Sequence, residues 1–248
     1  MKAALITGVC GGIGQATARH LKEEGWSVYA TDIVDPPDSL KLDAFWKGDV
    51  ASEQFWTDKI APEVKVRGSL QAIIHNAAIQ PCTPLLETSV AEWDEVMAVN
   101  LRASFLAVRS LAPLMKGGSA SIVNVASVHA LATSAGMSVY VTSKGGLVSF
   151  TRAAALDLAA MKIRVNAVLP GAIDTPMLEA GLQRNATGQF SLAELKENLA
   201  SKTPIQRIGA PEEVARAIAF LIDPVASSFI TGQALVIDGG ATTRLSTE

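Results

Sequence analysis

Two kinds of apolar spacing alternate along this chain. Short, nearly unbroken apolar runs occupy residues 2–7, 26–31, 45–47, 70–74, 119–126, 163–168 and 234–237, the pattern of strands buried on both faces of a parallel sheet. Between them apolar residues return at helical spacing: from Ile13 through Ala16, Thr17 and Leu21, then over 93–115, 138–160 and 211–221. Local punctuation agrees with this division. Gly25 ends the first helix, and Pro113 distorts or ends the second. Pro211 opens the last helix, with Glu212 and Glu213 against the positive end of its dipole. Pro36 and Pro37 make 34–42 a loop. The alternation predicts an α/β fold: one domain over residues 1–248, a doubly wound parallel sheet with helices on both faces. Residues 172–207 lack strand character and carry an amphipathic piece (Leu192, Leu195, Leu199) with glycines at 181 and 188. Excursions of that length are commonly lids.

Composition adds an expectation about assembly and removes several partners. Charged residues make up 18% of the chain, below the ~25% usual for globular proteins, while 49% are hydrophobic. Surface buried between subunits accounts for that balance, so a homo-oligomer is expected. A net charge of −3 without a basic cluster argues against a nucleic-acid groove. No apolar stretch reaches the ~20 residues of a membrane span, and the run after Lys2 is too short for a signal peptide. Cys10 and Cys82 are too few for a disulfide framework and lack metal-site spacing. They are read as free thiols in a reducing, cytoplasmic setting, with no metal expected.

The first strand runs into Gly8, Gly11, Gly12 and Gly14, and a helix follows. Glycines there let the chain turn sharply and let a pyrophosphate approach the helix N-terminus. Asp32 closes the second strand 18 residues after Gly14, where a carboxylate takes the hydroxyls of an adenosine ribose. Further on, Tyr140 and Lys144 stand four apart in a helical segment, hence on one face. A tyrosine hydroxyl titrates near ~10. An ammonium beside it favours the phenolate and suits it to acid–base work. Ser127 closes the strand 119–126, where its hydroxyl is placed to hold a substrate oxygen. The chain has only one other tyrosine, Tyr29, which falls in a strand.

In their order and spacing these motifs resemble the short-chain dehydrogenases/reductases, a Rossmann-type family, over essentially the whole chain. Thr7-Gly8-Val9-Cys10-Gly11-Gly12-Ile13-Gly14 resembles the cofactor loop of that family, and Asp49-Val50 its adenine contact. His75-Asn76-Ala77-Ala78 resembles its Asn-Asn-Ala-Gly motif, with His75 and Ala78 as departures. Asn100, Ser127, Tyr140 and Lys144 match its catalytic tetrad. Pro170-Gly171-Ala172-Ile173-Asp174-Thr175 matches its nicotinamide loop, with the Ile173 backbone and the Thr175 hydroxyl as contacts, and Val236-Ile237-Asp238-Gly239-Gly240 matches its C-terminal strand.

The resemblance implies an oxidoreductase that interconverts a secondary alcohol and a ketone on a small sugar, polyol or hydroxy compound. Tyr140 would exchange the proton and Ser127 hold the oxygen. Lys144 would bind the nicotinamide ribose, and Asn100 would hold a water that relays protons. It also implies a substrate lid at 172–207 and a homotetramer. Gln80, Ser127 and His129 resemble substrate-contacting positions of 3-hydroxybutyrate dehydrogenases. Met137 stands where those enzymes carry a lysine, which favours a neutral alcohol. NAD is the expected cofactor: Gly11 and Ile33 fill the places where NADP-preferring relatives put a basic residue, and Lys41 lies beyond the proline loop. Two rivals are an NADPH-dependent 3-oxoacyl-carrier-protein reductase and a dinucleotide-sensing regulatory protein, which would typically lack Tyr140 or Lys144. His20 is expected on a helix surface, and His75 in local hydrogen bonding.

Overall fold

Every residue of β1 (Ala3–Thr7) is buried, because the strand lies mid-sheet with helices on both sides. The computed structural model describes residues 2–68, 70–115, 118–184 and 190–243. Its centre is one seven-stranded sheet, parallel throughout. The strands are β1, β2 (Ser27–Asp32), β3 (Ala44–Lys47), β4 (Ala72–His75), β5 (Ala120–Val125), β6 (Ile163–Pro170) and β7 (Ala234–Ile237), in the order β3-β2-β1-β4-β5-β6-β7. Successive side chains point to opposite faces, so each strand feeds two cores. Leu5, Tyr29, Ile73, Ile122 and Val165 face one, and Ile6, Val28, Ile74, Val123 and Val168 the other.

The second core is covered by α1 (Gly12–Glu23) and α8 (Pro211–Ile222), through Ala18, Leu21, Val214 and Ile218. The first is covered by α2 (Ala61–Arg67), α4 (Ala103–Leu111) and α5 (Ser138–Asp157), with α3 (Val90–Met97) preceding α4. This is the doubly wound α/β sheet expected from the alternation. The chain order reverses on either side of β1, whose neighbours are β2 and β4. That reversal opens a crevice at the carboxyl ends of the strands, where ligands of open α/β sheets bind.

Two helical regions depart from expectation. The single helix over 93–115 starts earlier, where the Ser89 hydroxyl accepts the Glu92 amide at 3.1 Å. It is then interrupted by a π-helical turn, Ala98–Arg102, before α4 resumes, and Pro113 sits in the closing 3₁₀ turn, Ala112–Leu114. The interval before β4 holds an unanticipated helix: a π-helical stretch, Phe55–Ile60, running into α2. Trp56, Ile60 and Val64 recur every fourth residue there and are buried, a signal diluted by the charges around it. Residues 172–207 form α6 (Pro176–Arg184) and α7 (Leu192–Ser201), the latter opened by a Ser191–Glu194 capping box. Residues 185–189, and with them the glycine at 188, lie outside the described residues.

Candidate active site

The glycine turn is built by its neighbours. Gly8 has φ +65°, and a Cβ on it would stand 2.6 Å from the Ala77 Cα. A Cβ on Gly14 would strike the Gly8 carbonyl and Val9, so bare backbone is what lets α1 close on the strand end. The Thr7 hydroxyl accepts the amides of Asn76 and Ala77, both at 3.0 Å, which leaves its proton for His75 Nδ1 at 3.3 Å. The Asn76 side chain donates to the Thr7 and Gly8 carbonyls at 3.2 and 2.8 Å. Asn76 thus braces the loop from behind. No side chain caps α1 at Gly11, so its first-turn amides suit an anion. Ile13, in that turn, also packs against the second core.

Asp32 is tied to this loop. Its carboxylate accepts the Cys10 amide at 2.9 Å and those of Ile33 and Val34 at 2.8 and 3.3 Å. Burial and the neighbouring Asp32 push the Cys10 thiol up to about 11. Lys47, the base nearest in sequence on β3, pairs with Asp35 at 2.6 Å. Asp49 caps its own turn through the Ala51 amide at 2.8 Å, and Val50 is a core residue whose carbonyl accepts the Trp56 indole at 2.8 Å. A glycine loop with uncapped amides beside a fixed carboxylate fits a dinucleotide.

Across the crevice, Ser127, Tyr140 and Lys144 are all buried and come together. The Ser127 hydroxyl accepts the His129 amide at 3.2 Å, and the His129 ring meets the Tyr140 ring edge-on at 5.8 Å. Lys144 Nζ donates to the Val125 carbonyl at 2.8 Å and lies 5.7 Å from the centre of the Tyr140 ring. Burial governs both titrations. It pushes Tyr140 up to about 12, against a hydrogen bond to Ser127 that lowers it. It pushes Lys144 down to about 7. Burial thus opposes the effect expected of Lys144 on the tyrosine: desolvation holds Tyr140 up and draws the lysine's own charge down.

The π-helical turn places Asn100. Its amide accepts the Ile79 N–H and donates to the Ile79 carbonyl, both at 2.9 Å, and donates to the Ser143 hydroxyl at 3.0 Å. Ser143 in turn donates to the Tyr140 carbonyl at 2.7 Å. Sequence reasoning passed over Ser143, although it directly precedes Lys144. Gln80 follows Ile79, and two residues on the Cys82 sulfur lies 3.4 Å from that of Met137, at the start of α5. Pro170 ends β6. Ile173 is buried, and the Thr175 side chain fills the space that a Cβ on Gly12 would need. The Thr175 hydroxyl accepts the Leu178 amide at 3.3 Å, steadying the start of α6. His20 sits apart on α1, 3.3 Å from Glu24. Among the described residues no cluster of His, Cys, Asp or Glu is arranged to hold a metal ion, and no helix is long and apolar enough to cross a membrane.

Comparison with known proteins agrees with this geometry. A family model described as enoyl-(acyl carrier protein) reductase matches residues 8–242. The cis-4-hydroxycyclohexanecarboxylate dehydrogenase of Sinomonas cyclohexanicum is 38% identical over 97% of this chain and 96% of its own. The cyclopentanol dehydrogenase of Comamonas testosteroni is 34% identical over 97% of both chains. The ligand-free aldohexose dehydrogenase of Thermoplasma acidophilum superposes with a TM-score of 0.93 at 34% identity, over 99% of this chain and 95% of that one.

Proposed function

The chain belongs to the short-chain dehydrogenase/reductase family and is an oxidoreductase; from that premise we propose that it interconverts a small ring-borne secondary alcohol and its ketone with NAD(H). The observation that carries the reading is the meeting of Ser127, Tyr140 and Lys144 beside the glycine loop. Bound NAD(H) supplies the hydride acceptor or donor. The Tyr140 hydroxyl, buried and hydrogen-bonded to Ser127, exchanges a proton with the substrate oxygen, and Ser127 fixes that oxygen. Lys144 holds the nicotinamide ribose, and Asn100 keeps Ile79 and the catalytic helix in register. Gly8, Gly12, Ile13 and Gly14 receive the pyrophosphate. Asp49, Val50 and the braced Asn76 border the adenosine side, and Pro170, Ile173 and Thr175 the nicotinamide side. Gln80 and His129 line the substrate mouth under a lid formed by α6 and α7.

The preference for NAD rests on Asp32. Its fixed carboxylate accepts ribose hydroxyls and repels a 2′-phosphate. Ring alcohols are favoured because two relatives are named for them and because an apolar Met137, in contact with Cys82, rather than a cation stands three residues before Tyr140. The rival, an NADPH-dependent 3-oxoacyl-carrier-protein reductase, draws on a relative named for that reaction, 36% identical over 96% of this chain. Measuring kcat/KM for cyclic alcohols and for 3-oxoacyl thioesters, each with both cofactors, separates the two. NAD should be preferred by at least tenfold, and Asp32→Ala should narrow that gap without creating strong NADP binding. Equal values, or NADPH preferred, would overturn the assignment.

A further inference from the structure

Helix α6 strides over the crevice from the glycine loop, where Thr175 touches Gly12, to the segment after β4. At its far end a Cβ on Gly181 would lie 3.9 Å from Gln80 Oε1 and 3.9 Å from an Arg184 guanidinium nitrogen. Two polar side chains, one from each bank, therefore flank Gly181. Gln80 is held there on both sides, by the Ile79–Asn100 pair before it and the Cys82–Met137 contact after it. Arg184 is braced by its Nε, which donates to the Ala180 carbonyl at 3.1 Å. Among the described residues no carboxylate pairs with Arg184, whereas Asp174 and Glu179 are both held by Lys196 at 2.7 Å. Nine residues of helical rise set Arg184 roughly 14 Å beyond Thr175, at the end of α6 away from the glycine loop.

Building on the dehydrogenase reading of the site, we propose that Arg184 and Gln80 are the recognition end for a carboxylate carried on the far side of the substrate ring from the reacting alcohol. A guanidinium offers a planar, permanently charged fork to a carboxylate, and the Gln80 amide can turn its N–H donors to the same oxygens. The position sets the substrate class. In a short hydroxy acid the carboxylate lies close to the alcohol and would face the thioether of Met137. A carboxylate across a ring is carried outward to α6. The preferred substrate is thus a cyclic hydroxy acid.

The test compares 4-hydroxycyclohexanecarboxylate with its neutral carboxamide as substrates of the full-length enzyme. The carboxylate should be preferred in kcat/KM by about ten- to a hundredfold, the range of one charge-assisted hydrogen bond. R184Q should collapse that ratio, mainly through KM, and R184K should keep part of it. Cyclohexanecarboxylate, which has no hydroxyl to oxidise, should inhibit the unmodified enzyme about tenfold more strongly than R184Q. Equal use of carboxylate and carboxamide, or an unchanged ratio in R184Q, overturns the Arg184 assignment and leaves the dehydrogenase reading standing. Failure to oxidise any alcohol with either cofactor overturns both.

Discussion

Tyr140 and Lys144 are both buried, and burial drives them in opposite directions toward a neutral pair. Against that burial, the Ser127 hydrogen bond is what draws the tyrosine back toward ionisation. His75 carries a related lesson. The sequence placed it at a strand end in local hydrogen bonding, and it is there, against Thr7. Its burial, however, depends on Trp56 and the unanticipated helix around it. That burial lowers its pKa from 6.5 to about 4. The folded form therefore refuses a proton that the unfolded form accepts, and stability present above pH 6.5 drains away as pH falls toward 4. Between pH 7 and 5 the loss should be on the order of 2 kcal/mol. Urea unfolding at both pH values checks it: His75→Asn should flatten the slope, whatever it does to stability at pH 7. An unchanged slope would show that His75 is not the group responsible.

Among the elements, the strands and the residues at their ends were legible in advance. Two-sided burial demands unbroken apolar runs; Gly8 and Ser127 follow such runs, Asp32 ends one, and Tyr140 lies in a helix between two of them. The π-helical turns were not legible. Each depends on one extra residue in a helix, which local periodicity does not announce. Yet the turn Ala98–Arg102 delivers Asn100 to Ile79 and Ser143. Nor did sequence show Asn76 bracing the glycine loop or Gln80 reaching Gly181 on α6, since those partners are distant along the chain. Asn100 joins three elements through three hydrogen bonds, two of them to the Ile79 backbone. Asn100→Ala should strand those groups and destabilise the fold by about 2–4 kcal/mol, at 1–3 for each buried unsatisfied group. A loss below about 1 kcal/mol in urea unfolding would contradict the bracing role.

On the scale of the whole molecule, the apolar residues left outside the two cores define a surface. Met97, Leu101, Phe105 and Phe150 line an open groove between the α3–α4 run and α5. Phe220 and Phe229 are exposed elsewhere, and the edge strand β7 shows Leu235 and Val236 to solvent. Patches of this kind mark interfaces, so light scattering should report about four times the 26.0 kDa chain mass; a 26.0 kDa species would contradict assembly. On the proposed reading the molecule has two functional halves, a dinucleotide cradle around β1 and β2 and a proton-exchanging group on α5. They come apart most cleanly at Tyr140. Tyr140→Phe removes one hydroxyl and leaves the glycine loop, Asp32 and Lys144 in place. The decisive measurement is kcat for a cyclic alcohol alongside the NADH dissociation constant of this variant. Turnover should fall at least ~10²-fold with NADH binding nearly unchanged, whereas a loss of less than about tenfold in kcat would contradict Tyr140 as the proton-exchanging group.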